Sequence, residues 1–233
     1  MLVRYFFDML FRILIFYFIL ISSIYSECIL SSFYDFNTKH WLDNFSCPEE
    51  VLKTKQSSGS LFKIFLVMSG YHYKILDKKD IHTIQEKMLV SDNEYFVDLI
   101  KKINKNRFIL FSNQYLKNYF YPISENNFPN DFSYLYGGNL KFFPKEILDW
   151  FKKLSLNERE FSRFALETIK RNEIGITYYG KSGTWGGSAW FCGIIKTNSI
   201  NVLCVLNRYK IPNWKDAKNK SYETFKKIMM AGN

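Results

Sequence analysis

Apolar and polar positions divide this chain into a leader, a helical middle and a strand-rich end. Residues 13–21 are an unbroken apolar run, with Arg4 and Arg12 before it and Ser22-Ser23-Ile24-Tyr25-Ser26 after it. That run is short for a membrane span and has the layout of a secretory signal, with Ser26 as a small residue for cleavage. Residues 1–26 are therefore expected to be a signal peptide. An uncleaved N-terminal anchor stays open, because Asp8 and the aromatic stretch around it are unusual at a signal's start. The mature domain is expected to cover residues 27–233 and to be exported, periplasmic or secreted.

Residues 28–34 and 39–42 read as two short strands joined by Asp35-Phe36-Asn37, and residues 61–73 as a buried apolar helix opening at Ser60. Residues 77–131 are mixed, with helical pieces at 94–102 and 114–119. Residues 143–154 are amphipathic behind Pro144, and a further helix capped by Asn157 is expected to run to about Arg171. Then the period changes. Residues 174–182, 189–196 and 200–209 are rich in β-branched and aromatic side chains and read as strands, with Thr197-Asn198-Ser199 as a hairpin turn between the last two. Pro212 ends the last strand, and residues 214–230 form an amphipathic C-terminal helix. Strands at both ends around a helical middle predict one α/β domain whose sheet is assembled from distant segments.

The length of 233 residues suits one such domain, and no repeat or low-complexity linker argues for a second. The net charge of +10 could mark an anionic partner, but the lysines are scattered and no nucleic-acid fold signature occurs. No nucleic-acid partner is expected, and the membrane is a partner only if residues 1–26 stay attached. Cys28 and Cys47 flank the first hairpin and could pair, although spacing alone does not establish it. Cys192 and Cys204 lie in apolar strands and read as buried thiols. The four cysteines and the dispersed His40, His72 and His82 lack metal-ligand spacing, so no metal is expected.

Candidate chemistry sits at two distant places. Ser60 and Lys63 are three residues apart at the mouth of a helix, so hydroxyl and amine share a face. A serine needs a base to become a nucleophile, and a lysine can be that base if desolvation lowers its pKa or its nitrogen is modified. Downstream, Lys181-Ser182-Gly183-Thr184 places a cation and hydroxyl on a strand edge, where they can hold a carboxylate, while Gly183 permits close approach. Either element alone is common. Their order is more specific.

Together these residues resemble the penicillin-recognising serine enzymes. The closer likeness is to the class D (oxacillinase-type) β-lactamases and related β-lactam sensor domains. Ser60-Leu61-Phe62-Lys63-Ile64 resembles that family's Ser-Thr-Phe-Lys-Ile. Lys181-Ser182-Gly183-Thr184 followed by Trp190-Phe191-Cys192-Gly193 resembles its Lys-Thr-Gly and Trp-Phe-x-Gly, Tyr136-Gly137-Gly138-Asn139 its Tyr-Gly-Asn, and Glu27-Cys28-Ile29-Leu30 its first strand. The resemblance implies a transpeptidase-like domain, with a mainly antiparallel sheet built from both chain ends and flanking helices. It implies a β-lactam or peptidoglycan-like substrate, Ser60 as the acylated nucleophile and Lys63 as general base, either as the amine or carrying the CO2-derived carbamate of class D, and no other cofactor. Ser112, in Phe111-Ser112-Asn113-Gln114, becomes the match to the family's proton-shuttling serine. Lys181, Ser182, Gly183 and Thr184 become the substrate-binding strand, with Thr184 lending a backbone N–H to an oxyanion hole. Trp150 becomes the candidate partner of the carbamate, beside the reading of a core tryptophan.

Departures from the family accompany these matches. Gln114 stands where class D places an apolar valine, an extra glycine splits Tyr-Gly-Asn, and no arginine follows Arg208 as carboxylate anchor, leaving Lys218 or Lys220. The expected function is a serine β-lactam hydrolase. The alternatives are a penicillin-binding or sensor protein that acylates without efficient turnover, a degenerate non-catalytic relative, or a basic exported interaction protein.

Overall fold

The computed structural model describes residues 27–120, 122–124, 135, 137, 140–196, 199–210 and 213–231. The expected signal or anchor, Pro212 and part of the turn at 197–199 lie outside the described residues. The chain opens with strands β1 (Glu27–Asp35) and β2 (His40–Ser46), then a short helix α1 (Glu49–Leu52) and a 3-10 turn, Gly59–Phe62. Helices α2 (Lys63–His72), α3 (Ile81–Val90), α4 (Asn93–Ile103), α5 (Lys105–Tyr115), α6 (Pro144–Leu156) and α7 (Glu160–Thr168) follow. Strands β3 (Lys170–Glu173), β4 (Ile176–Trp185), β5 (Ser188–Lys196) and β6 (Ile200–Arg208) and helix α8 (Trp214–Ala231) complete it.

The six strands form one sheet in the order β2-β1-β6-β5-β4-β3, antiparallel at every pairing. β1 pairs with β6, so the first and last strands meet in mid-sheet, as expected for a sheet built from both chain ends. β5 and β6 are buried along nearly their whole length because both faces are covered. On one face, α8 lays down Ala217, Ser221, Phe225 and Met229, four apart on one helical stripe. Gly193 of β5 makes room for that stripe, since a Cβ there would come within 2.5 Å of Phe225 Cζ. Ser221 Oγ donates to Ala189 O (2.9 Å) and fixes the helix on the strand. The other face carries the larger core, centred on α2, which is buried from Lys63 to Gly70. Among the described residues, no helix is long and apolar enough to cross a membrane.

Several expected boundaries shift. Of the expected helix at 114–119 only Gln114 and Tyr115 are helical, as the end of α5, while 116–119 form a bend and turn; α3 falls in the stretch read as mixed. The helix after Asn157 stops at Thr168, because Lys170–Glu173 joins the sheet edge against β4. Cys28 and Cys47 form a disulfide across the first hairpin, which settles the pairing left open above. Cys192 and Cys204 are also bonded, correcting their reading as thiols. They face each other directly in the β5–β6 register, with Cα atoms 4.1 Å apart. That separation is below the usual range for disulfides but reaches the sulfur atoms across one strand pair.

Candidate active site

Ser60 lies inside the 3-10 turn, and Lys63 opens α2 directly after it. Two glycines press this turn onto β4. Gly59 has φ +54°, and a Cβ there would stand 2.5 Å from Thr184 N; a Cβ on Gly183 would stand 2.4 Å from Ser58 O. No side chain fits at either position, and the close approach puts Ser60 beside Ser182 and Thr184.

The junction between α3 and α4 closes the site from the third side. Ser91 ends α3 in the left-handed conformation (φ 55°), which costs an L-residue about 1–2 kcal/mol. Asp92 offsets this by capping α4: its Oδ1 accepts from Tyr95 N (3.0 Å), and its Oδ2 pairs with Lys87 Nζ (2.8 Å). The turn thereby aims both oxygens of Ser91 and the amide of Asn93 at two lysines. Lys63 Nζ donates to Ser91 O (2.9 Å) and to Asn93 Oδ1 (2.7 Å). Lys181 Nζ donates to Ser91 Oγ (2.6 Å) and to Ser182 O (2.8 Å). Ser91 therefore bridges the two amines.

Both lysine side chains belong to residues with no exposed surface. Burial pushes the Lys63 amine down to about 8, with the Asp92 carboxylate opposing and Lys218 adding to the shift. Burial likewise holds Lys181 well below the usual lysine range, reinforced by the positive charges of Lys63, Lys218 and Arg171. Lys218 is half-buried and is lowered by burial first and Arg171 second. Ser60, Ser91, Asn93, Ser182 and Thr184 form the floor of one cavity of about 680 Å³.

Of the residues singled out in the sequence, Ser60, Lys63, Lys181, Ser182, Gly183 and Thr184 come together here. Ser112 and Trp150 do not. Ser112 is buried on α5, its Oγ without a hydrogen-bond partner among the described residues, and it is not among those lining the cavity. Gln114 is exposed on the same helix, so it introduces no amide into the surroundings of Lys63. Trp150 packs among Phe65, Phe120 and Phe142, and its Nε1 donates to Tyr119 O (2.8 Å), which places it in the aromatic core. Lys218 lines the cavity, while Lys220 is exposed. Tyr136, Gly138 and Asn139 lie outside the described residues; Gly137 sits against Ser58, where a Cβ would stand 3.0 Å from Ser58 Oγ.

Solved structures share this architecture. FUS-1 (OXA-85), a class D β-lactamase from Fusobacterium nucleatum subsp. polymorphum, superposes with a TM-score of 0.65 at 16% identity, covering 90% of this chain and 95% of that one. The class D β-lactamase YbXI from Nostoc gives 0.65 at 15% identity, over 86% and 92%. A delta mutant of the class D β-lactamase BAT-2 gives 0.63 at 16% identity, over 86% and 91%. The fold is that of the class D β-lactamases. At these identities the likeness is one of fold. No protein-family model matches the chain, and no curated protein matches it either.

On this class D fold, the residues that the sequence reading passes over are Ser91, Asp92 and Asn93. Ser-Asp-Asn is itself the middle motif of class A β-lactamases and penicillin-binding proteins. It stands between Lys63 and Lys181 in the chain, at the junction of two helices. That literal tripeptide was the signal available to find it.

Proposed function

We propose that the protein is a β-lactam-directed serine hydrolase in which Ser60 is the nucleophile and Lys63 the general base. The observation that carries the reading is the bridge through Ser91 between two buried lysines, on the floor of the cavity that Ser60 lines. A neutral Lys63 amine has two N–H groups and a lone pair. Ser91 O and Asn93 Oδ1 take up the two N–H groups, and the lone pair is the acceptor for the Ser60 proton. With an amine titrating near 8, about a tenth of Lys63 is neutral at pH 7. Ser60 Oγ then bonds to the lactam carbonyl carbon as Lys63 gains the proton. The oxyanion is assigned to the backbone N–H groups of Ser60 and Thr184, on the two segments that Gly59 and Gly183 let approach closely. The ring C–N bond breaks, and the leaving nitrogen takes a proton through Ser91 Oγ, replenished along its contact with Lys181. Lys63 then loses its gained proton to solvent, as an amine titrating near 8 can, and Lys181 takes one up. Water adds to the acyl carbon as the neutral Lys63 amine accepts its proton, which passes to Ser60 Oγ as the acyl C–O bond breaks.

Lys63 works in this scheme as an unmodified amine. A carbamate would replace the amine by a nitrogen with one N–H and bring a carboxylate against two acceptors. Rotating the Asn93 amide by a half-turn would offer a donor, but Ser91 O is backbone and stays an acceptor. These surroundings do not fit that group. They favour a second reading: acylation outpaces deacylation, as in a penicillin-binding or sensor protein, since the described lining of the cavity includes no carboxylate to activate water. Export is part of the proposal, supported by two disulfides that need an oxidising compartment.

Intact-protein mass spectrometry after penicillin exposure, run beside a chromogenic cephalosporin assay, tests both readings. One adduct on the Ser60 peptide with turnover supports the hydrolase, and a lasting adduct without turnover supports the receptor. An adduct that persists in Ser60→Ala sinks both.

A further inference from the structure

At the end of α2 away from Ser60 lies a second cavity, of about 480 Å³, a size that holds a small organic molecule. Tyr71, His72, Lys74, Leu76 and Phe161 are part of its lining, and none of them lines the cavity over Ser60. Its shape follows from how α2 stops. Ile75 N donates to Gly70 O (2.9 Å) and Lys74 N to Tyr71 O (3.0 Å), a pair of bonds that takes up carbonyls at the helix end and turns the chain back. Gly70 lets Leu76 fold against the helix, since a Cβ there would stand 2.8 Å from Leu76 Cδ1. The residue at such a reversal takes a left-handed backbone, and glycine is its usual occupant. Here it is Lys74, at φ 58°. Backbone strain of this kind gathers at ligand sites.

The charges of the lining show which groups are left to be used. Two acids border the cavity, and both are already paired. Glu160 Oε1 accepts from Tyr71 Oη (2.8 Å) and from Lys78 Nζ (3.2 Å), and Asp77 Oδ2 pairs with Lys79 Nζ (3.0 Å). Neither the Lys74 ammonium nor the His72 imidazole has a hydrogen bond or ion pair among the described residues. The His72 ring is held all the same, because Tyr73, Phe111, Tyr115 and Phe161 surround it with centroids 4.8 to 6.1 Å away. Tyr71 is held too, stacked on Phe164 at 4.2 Å. An ammonium beside an imidazole N–H suits a carboxylate, and neighbouring rings favour a flat apolar body over a saturated one. We propose that this cavity is a ligand site for organic acids with a flat apolar body, the carboxylate on Lys74 and His72 and the body against Tyr71 and Phe161. No step of the hydrolase reading enters it.

Two-dimensional 1H–15N spectra of the full chain, titrated with 2-naphthoate, locate binding as well as measuring it. The amides of residues 70–77 and 160–162 should shift together, with a Kd at or below about 1 mM. 2-Naphthamide, which lacks the charge, and acetate, which lacks the rings, should each bind about tenfold more weakly. Lys74→Gly removes the ammonium and also the strain at φ 58°, so it should hold or raise Tm while weakening naphthoate about tenfold. His72→Phe keeps a ring in the aromatic cluster and should weaken naphthoate as well, with circular dichroism confirming the fold. Shifts confined to Ser60, Ser91, Asn93 and Ser182 would place the acid in the other cavity and overturn the proposal. So would the lack of any saturable shift, equal affinity for acid and amide, or either variant binding naphthoate as its parent does. The penicillin adduct on Ser60, formed or absent, bears on the hydrolase alone.

Discussion

Ser91 and Ser112 are both serines of the helical layer, one at the junction of α3 and α4 and the other within α5, and their surroundings put them to opposite uses. Ser91 sits at a helix end in the left-handed conformation, where its carbonyl has left the helical ladder and its hydroxyl points away from the helix. Both oxygens accept from buried lysines on other elements. Ser112 has helical backbone on either side, so its side chain is turned into the core between Phe108 and Leu116, and its hydroxyl finds no partner among the described residues. A helix interior can bury a hydroxyl but does little to aim it, whereas a strained cap aims two acceptors at once. The cost at Ser91 is met locally by the Asp92 cap, and the return is made in the cavity.

The largest test of that contrast is a pair of substitutions. Ser91→Ala should slow acylation by penicillin on the order of 10²–10⁴-fold, the usual range for loss of a positioned proton donor, in stopped-flow measurement. Ser112→Ala should leave the rate within about twofold and the stability unchanged or slightly raised, because it deletes an unsatisfied buried hydroxyl. Equal losses from the two would break the comparison.

A second test uses stability against pH. Lys63 titrates near 8 in the folded protein and near 10.5 in the unfolded chain, so between those values the unfolded chain binds more protons. Stability should therefore rise with pH across that window. The penalty is fully present below about 8 and amounts to roughly 3 kcal/mol by linkage. Lys181, lowered in the same direction, adds to the slope. In Lys63→Met the rise in Tm from pH 7.5 to 10 should flatten; an undiminished slope would mean that Lys63 is not the strained amine. A smaller effect separates the site from its core. Trp150→Phe keeps the ring packing and loses the bond to Tyr119 O, so it should cost about 1–2 kcal/mol in denaturant unfolding and leave acylation unchanged. A large loss of acylation would return Trp150 to the chemistry.

The two ends of the site were legible in the sequence because each is a contiguous motif on a regular element: Ser60 and Lys63 at a helix mouth, Lys181 to Thr184 on a strand. The third part was harder, since Ser91-Asp92-Asn93 forms no element of its own and its meaning lies in the φ of Ser91 and the cap by Asp92. The class D pattern points instead to Ser112, which matches in letters and lies in a helix interior. The second disulfide shows a different lapse. A hairpin turn expected at Thr197-Asn198-Ser199 implies Lys196 opposite Ile200, and counting outward sets Cys192 opposite Cys204, which is the register of β5 and β6. The turn was readable and the register followed from it. The remaining wall of the Ser60 cavity was not readable, because Trp185, Tyr209 and Trp214 come together only through the reversal at Gly186-Gly187 and the return of the chain after β6.

The central claim is that Ser60 is acylated with the unmodified Lys63 amine as base, and its most direct test is the acylation rate of Ser60 from pH 6 to 10, in CO2-free buffer and again with added bicarbonate. The account predicts a single rise centred near 8, superimposable in the two buffers, with no carbamate carbon in the 13C spectrum of protein equilibrated with 13C-bicarbonate. A rate that bicarbonate accelerates together with a lysine carbamate signal, or a rate flat through pH 8, would contradict it.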